Sequence, residues 1–209
     1  MIRSGILFLS ILVLGSCRGN KSEQTIPDRG SVIYKKDTSE KITSSEPSRP
    51  PIINIQDTIA IKRTVIVIRD SASSSQRIGM KLSRIYDTYL PAFCLKNKIK
   101  KTGPKMAWYK SSKAPFFFEA GFSVDKKPAR LEKNMFVKNI GGDSAVVARY
   151  YGPYESTYLA YQAISEWMHD NKKKSSAPPY EVYIGDPFDD KGKRLDPYKI
   201  LTEIVFPRK

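Results

Sequence analysis

Pro178-Pro179-Tyr180-Glu181-Val182-Tyr183-Ile184-Gly185-Asp186-Pro187 reads as a short aromatic and β-branched strand between turn residues, with a carboxylate in its middle. A carboxylate in a strand core is costly unless something pairs with it or it faces a cavity that serves a ligand. Strand alternation puts Tyr180, Val182 and Ile184 on one face and Glu181 and Tyr183 on the other.

Upstream of this strand, Ser144-Ala145-Val146-Val147-Ala148-Arg149-Tyr150-Tyr151 reads as a strand, and Gly152-Pro153 opens a helix with proline at a tolerated first-turn position. Tyr154, Tyr158, Tyr161, Ile164 and Met168 form that helix's apolar stripe. Downstream, Lys199-Ile200-Leu201-Thr202-Glu203-Ile204-Val205-Phe206-Pro207 closes the unit as a last strand. The same order occurs earlier in the chain. Thr64 to Arg69 is a strand, Ser71 to Ser75 offer helix caps, and Ile78, Leu82, Ile85, Tyr89 and Phe93 keep helical spacing. Pro91 interrupts this helix, where it either kinks or ends it. Met106-Ala107-Trp108-Tyr109 and Pro115 to Val124 then supply two strands. Each half is strand–helix–strand–strand, so the expectation is an α+β fold built by internal duplication.

Each helix packs on one face of its sheet, and if the apolar set of the 180–184 strand meets the helix, Glu181 and Tyr183 point away from it. Aligning Pro104 with Pro179 brings Met106 to the place of Glu181 and Trp108 to that of Tyr183. The expected helix-free face thus carries Met106, Trp108, Glu181 and Tyr183, a ring-lined groove with one acid. Glu203 and Glu119 hold comparable places in the last strand of each half, and either could be a second pocket acid or a surface charge. Tyr151 and Tyr154 flank the helix start. A place at the pocket mouth and, for Tyr154, core packing both account for them.

The N-terminus has a different composition. Met1 to Cys17 carries one Arg, an apolar run from Ile6 to Leu14 and the small residues Gly15 and Ser16 before Cys17. That run falls far short of the roughly 20 residues that cross a bilayer, so it reads as a secretion signal. Leu14-Gly15-Ser16-Cys17 resembles the bacterial lipobox, which implies that residues 1–16 are removed and that Cys17 is acylated. Residues 17–57 are rich in Ser, Thr, Lys, Glu and Pro and read as a tether. Residues 58–209 form the folded domain, with 28 Lys and Arg against 15 Asp and Glu from Thr58 onward. Acylation of Cys17 leaves Cys94 as a lone thiol on an apolar helix face, so no disulfide is expected. One histidine, His169, in a Lys-rich helix end gives no metal-ligand spacing, and no metal or cofactor is expected. The lysine runs 96–105 and 172–174 suit solvated loops or attraction to phosphate-bearing envelope surfaces, and they lack the interleaved aromatics of a nucleic-acid binder.

Three motifs carry a family resemblance. Tyr151-Gly152-Pro153-Tyr154-Glu155, then Tyr180-Glu181-Val182-Tyr183, then Leu201-Thr202-Glu203-Ile204 resemble the GyrI-like small-molecule-binding family, which is similar to the effector-binding domains of AraC-type and multidrug-sensing regulators. The likeness is strong over residues 144–209. It is weaker over 62–140, where Gly121-Phe122-Ser123-Val124 matches the end of the first half. The resemblance implies a pocket between the halves, Glu181 as its acid, aromatic walls, and cationic lipophilic ligands. Some members look like hydrolases that use the same glutamate as acid or base. The sequence shows no helix-turn-helix, and an exported, anchored domain does not reach the chromosome.

Three functions are thus open: an anchored binding module for a small amphipathic or cationic molecule, a hydrolase acting through Glu181, and an envelope protein with a structural or partner-binding role. The partners expected are a small-molecule ligand and, through the lipid, a membrane, with no nucleic acid. Arg18 after Cys17 is no inner-membrane retention signal, which favours the outer membrane.

Overall fold

The computed structural model describes residues 49–209. The signal segment, Cys17 and residues 17–48 of the expected tether lie outside the described residues. Eight strands form one antiparallel sheet. In chain order they are β1 (Ile52–Ile59), β2 (Arg63–Ala72), β3 (Lys101–Tyr109), β4 (Phe116–Val124), β5 (Met135–Ile140), β6 (Ser144–Tyr151), β7 (Tyr180–Tyr183) and β8 (Leu201–Pro207). Their order across the sheet is β1-β6-β8-β7-β3-β4-β2-β5. Read outward from the β7–β3 seam, each half repeats the same arrangement: β3, β4, β2 on one side and β7, β8, β6 on the other, each with one added edge strand. The duplicated strand–helix–strand–strand plan and the α+β class stand.

The edge strands are the difference. β5 extends the first half, and β1 pairs with β6 along its full length, from Ile52 opposite Tyr151 to Ile59 opposite Ser144. Residues 52–57, expected as tether, are therefore in the sheet. Asp57 accepts a forked pair of hydrogen bonds from Arg208 (Nε to Oδ1 2.8 Å, Nη2 to Oδ2 2.9 Å), which ties β1 to the end of the chain.

The first helix begins with Ser74 as its cap, the Ser74 side chain accepting from the Arg77 amide, and runs as α1 (Ser75–Arg84). It widens into a π turn (Ile85–Tyr89) and continues as α2 (Leu90–Lys96). Pro91 neither ends nor visibly breaks it. A proline cannot make the usual bond to the carbonyl four residues back, and the π turn just before it already shifts the pattern, with the Leu90 amide donating to Ile85. Ile85, Leu90, Phe93 and Cys94 pack beneath it against Ile66, Phe118 and Phe122.

In the second half, Pro153 does not start the helix. It precedes a 3₁₀ turn (Tyr154–Ser156), and α3 runs over Tyr158–Asp170. Ala160, Tyr161, Ile164 and Met168 bury its inner face against Val146, Ala148, Ile204 and Phe206. Both helices lie on one side of the sheet. The other side closes on itself as a third core, in which Val65, Val67, Met106, Trp108, Val147, Tyr180, Val182 and Val205 are buried together. That helix-free face is packed with the protein's own side chains, not an open groove.

Candidate functional site

The β7–β3 seam decides which side chains meet. Ala107 stands opposite Glu181, Met106 opposite Val182 and Lys105 opposite Tyr183. Facing pairs share a side of the sheet, so Glu181, Tyr183 and Ala107 look toward the helices, while Met106 and Val182 look away. This inverts the expected orientation. The apolar residues Tyr180 and Val182 turn toward the helix-free core, and the acid sits under the helices.

Glu181 is 2 % exposed. Three phenols donate to its carboxylate: Tyr161 of α3 to Oε1 at 3.0 Å, Tyr183 to Oε2 at 2.8 Å, and Tyr154 of the 3₁₀ turn to Oε2 at 3.3 Å. The Tyr109 hydroxyl lies 2.9 Å from that of Tyr183 and also contacts the Tyr154 hydroxyl. Tyr86, on the π turn, packs edge-on to the Tyr183 ring at 6.3 Å between centroids and donates to the Met106 carbonyl at 2.8 Å. Five tyrosines from five different elements thus surround one carboxylate. Tyr161 and Tyr86 are buried, Tyr109 and Tyr183 half-buried, and Tyr154, the outermost, is exposed.

Among the described residues no Lys, Arg or His forms an ion pair with Glu181. Burial pushes its carboxyl up from the ordinary 4.5 to about 7, against the lowering effect of the bonds from Tyr183, Tyr161 and Tyr154. Burial also raises Tyr86, Tyr154 and Tyr183 well above 10, with the Glu181 charge adding to the effect, so they remain neutral donors at physiological pH. The site is a proton-bearing or singly charged acid in a phenol cage, able to exchange a proton near neutrality and to attract a cation once ionised.

The other expected site residues lie elsewhere. Trp108 stacks on Tyr180 at 5.3 Å between centroids in the helix-free core, with Met106 beside it. Glu119 stands opposite both Trp108 and Arg69, and Glu203 opposite both Val182 and Arg149. Both acids therefore lie on the face away from Glu181. Tyr151, two residues along β6 from Arg149, shares that face too. Of the seven ligand-binding residues expected from sequence, only Glu181 and Tyr183 are brought together; Tyr154, weighed there as a pocket-mouth residue, joins them.

Sequence reasoning missed Tyr109, Tyr86 and the role of Tyr161. A signal existed for Tyr161. It lies seven residues from Tyr154, two helical turns on, and a buried phenol needs a hydrogen-bond partner that a purely apolar core lacks.

The protein also has an open groove of about 470 Å³ between the π turn and α2, β2 and residues 132–135, lined by residues that include Ile68, Tyr89, Phe93 and Met135. It touches neither Glu181 nor any of the five tyrosines. Glu181 is the stronger candidate, because a buried acid with no cation partner among the described residues is the feature that folding alone does not explain, whereas the groove is lined by both acidic and basic side chains, Asp70, Glu132, Lys96 and Lys133 among them. Among the described residues, no group of three or more His, Cys, Asp or Glu side chains could hold a metal.

Residues 107–209 match the family described as the GyrI-like small molecule binding domain. No curated protein matches the sequence. Among solved structures, the EcmrR C-terminal domain is similar at 20 % identity with a TM-score of 0.58, over 76 % of this chain and 98 % of that one. The EcmrR–DNA complex in EcmrR-RPo is similar at 21 % identity and TM-score 0.58, over 76 % of this chain but only 57 % of the EcmrR chain. SAV2435 bound to tetraphenylphosphonium is similar at 16 % identity, with a TM-score of 0.47, over 76 % of this chain and 94 % of that one. At these identities the likenesses describe the fold alone. Residues 107–209, with the phenol-caged Glu181 at their heart, are thus identified as a GyrI-like small molecule binding domain.

Proposed function

We propose that this domain takes up a small amphipathic cation whose charge meets ionised Glu181 and whose apolar body lies against the surrounding tyrosine rings. The observation that carries the reading is Glu181 itself: 2 % exposed, held by three phenols, and unpaired with any cation among the described residues. A bound cation supplies the missing partner, and each ring adds about 0.5–2 kcal/mol of cation–π attraction. The rings also cover the acid, so entry requires one to swing aside. Tyr154, exposed and carried on a 3₁₀ turn of three residues, is the ring with the least packing to lose. We further propose that a lipid on Cys17 and the segment after it hold the domain at the cell envelope, at the outer membrane, on the lipobox-like Leu14-Gly15-Ser16-Cys17.

Thermal-shift screening with quaternary ammonium and phosphonium cations, beside neutral amphiphiles of similar shape, tests the reading. A ligand at a hundredfold excess over its Kd raises Tm by roughly 5–10 °C in a domain of this size. The rise is expected for cations and is expected to disappear in Glu181→Gln. Equal shifts in wild type and variant would rule out the carboxylate as the anchor.

One observation favours a second reading. A carboxyl at about 7 is placed for general acid–base catalysis, so the same residue could hydrolyse a reactive small molecule. Turnover of a strained electrophile by the wild type, absent in Glu181→Gln, separates hydrolysis from binding. Neither shift nor turnover favours a structural or partner-binding role.

A further inference from the structure

On the face of the sheet away from Glu181, one buried acid carries three cations. The Glu119 side chain is 3 % exposed. Arg69 donates to Oε1 through Nη2 at 2.8 Å and Nε at 3.1 Å, Lys110 Nζ lies 2.5 Å from the same oxygen, and Lys138 Nζ lies 2.6 Å from Oε2. Burial raises the Glu119 carboxyl, but the bonds from Lys110, Lys138 and Arg69 outweigh it and hold it down at about 2. The acid is therefore ionised at all ordinary pH, and the cluster carries one negative charge against three positive ones. Among the described residues no second acid pairs with Arg69, Lys110 or Lys138.

The duplication supplies an internal control. Arg69 and Glu119 face each other between the first and last strands of the first half, as Arg149 and Glu203 do in the second. There the pair is one to one, Arg149 Nε lying 3.6 Å from Glu203 Oε1, and the fold is built without further charge. Neutralising the acid thus needs one cation, and Lys110 and Lys138 are an excess of two.

Their positions are also fixed. The Lys138 ammonium sits over the Trp108 ring at 4.5 Å, and the Arg69 guanidinium over Phe136 at 4.6 Å. Arg69 and Lys110 keep about half of their side-chain surface open to solvent, and Lys138 keeps 29 %. Three cationic heads converging on one carboxylate, with donors left over, form a preorganised receptor for a multiply charged oxyanion. Exposed Phe117 and Phe136 border it, which suits a phosphate attached to an apolar body.

We propose that Arg69, Lys110 and Lys138 form a second binding site, for a phosphate group, on the opposite face of the sheet from Glu181 and independent of it.

The test uses the full chain with two probes: inorganic phosphate titrated at constant ionic strength, and phosphatidylcholine vesicles with or without phosphatidylglycerol. Saturable phosphate binding is expected, weakened at least tenfold in Lys110→Gln/Lys138→Gln. That variant leaves Arg69 on Glu119, the arrangement the second half tolerates. Lys110→Gln alone, which removes one partly exposed contact, is expected to give an intermediate loss if the double variant folds poorly. Lys191→Gln/Lys193→Gln, which removes the same charge from an exposed loop, is expected to bind as wild type. Sedimentation that depends on phosphatidylglycerol, and on Lys110 and Lys138, identifies a lipid headgroup as the source of the phosphate. Binding of inorganic phosphate alone identifies a soluble one. Absence of binding to both probes, or an equal loss in the loop control, overturns the site.

Discussion

A lipophilic cation is expected to bind about a hundredfold more tightly at pH 8 than at pH 5. With the Glu181 carboxyl at about 7, only about one molecule in a hundred is ionised at pH 5, against roughly nine in ten at pH 8. If the ionised form is the one that receives the cation, apparent affinity scales with that fraction. Calorimetric titration of one quaternary phosphonium ion across this range should trace a single proton, while Glu181→Gln stays weak and flat. An affinity constant from pH 5 to 8 would mean that the charge of Glu181 takes no part in binding.

The same proton acts on the fold. Glu181 is more basic folded than unfolded, so the native state holds its proton more firmly, and stability is lost as pH rises from 4.5 to about 7. The loss attributable to this residue is on the order of 3 kcal/mol. Denaturation midpoints of wild type and Glu181→Gln should therefore diverge over that interval and run parallel above it. A bound cation reverses the trend, since it stabilises the charged form that burial disfavours.

Gly121→Ala is expected to cost about 3 kcal/mol or more, enough to leave much of the protein unfolded at ordinary temperature. Gly121 lies in β4 between β3 and β2, opposite Met106 and Val67. A Cβ there would fall 1.9 Å from the Ile66 carbonyl oxygen, which is sheet backbone and cannot step aside without breaking the ladder. Gly79→Ala serves as the contrast. Its Cβ meets nothing within 4 Å on α1, and alanine's helix preference should stabilise the protein by up to about 1 kcal/mol. Urea denaturation of the two variants measures both signs. A Gly121→Ala protein as stable as wild type would mean that β2 and β4 do not approach as closely as described.

Much of this arrangement could be read without coordinates. The two strand–helix–strand–strand units were visible because hydrophobic period and turn residues are local, and each half repeats them. The two edge strands were not. Ile52–Ile59 carries Asn54, Gln56, Asp57 and Thr58, and an edge strand needs pairing more than apolar surface, so its composition resembles a linker. The orientation of the acid was lost because both faces of its strand are covered, and the apolar set expected under the helix packs in the helix-free core instead; its companions were lost to a one-residue slip. Pro104 served as the ruler against Pro179, but pairing between β3 and β4 is irregular from Lys101 to Lys105, and such a shift exchanges the two faces of everything beyond it. Ala107, not Met106, is Glu181's neighbour, and Tyr109 takes the place assigned to Trp108.

By itself, the order of residues determined that a glutamate would sit in a buried strand of a duplicated α+β domain, because burial pattern and chain order are written locally. Only the tertiary structure decided which side of the sheet that glutamate faces and which hydroxyls reach it. Alternation along a strand names two faces without saying where a helix will dock, and the five tyrosines converge from elements up to 97 residues apart in the chain, from Tyr86 to Tyr183.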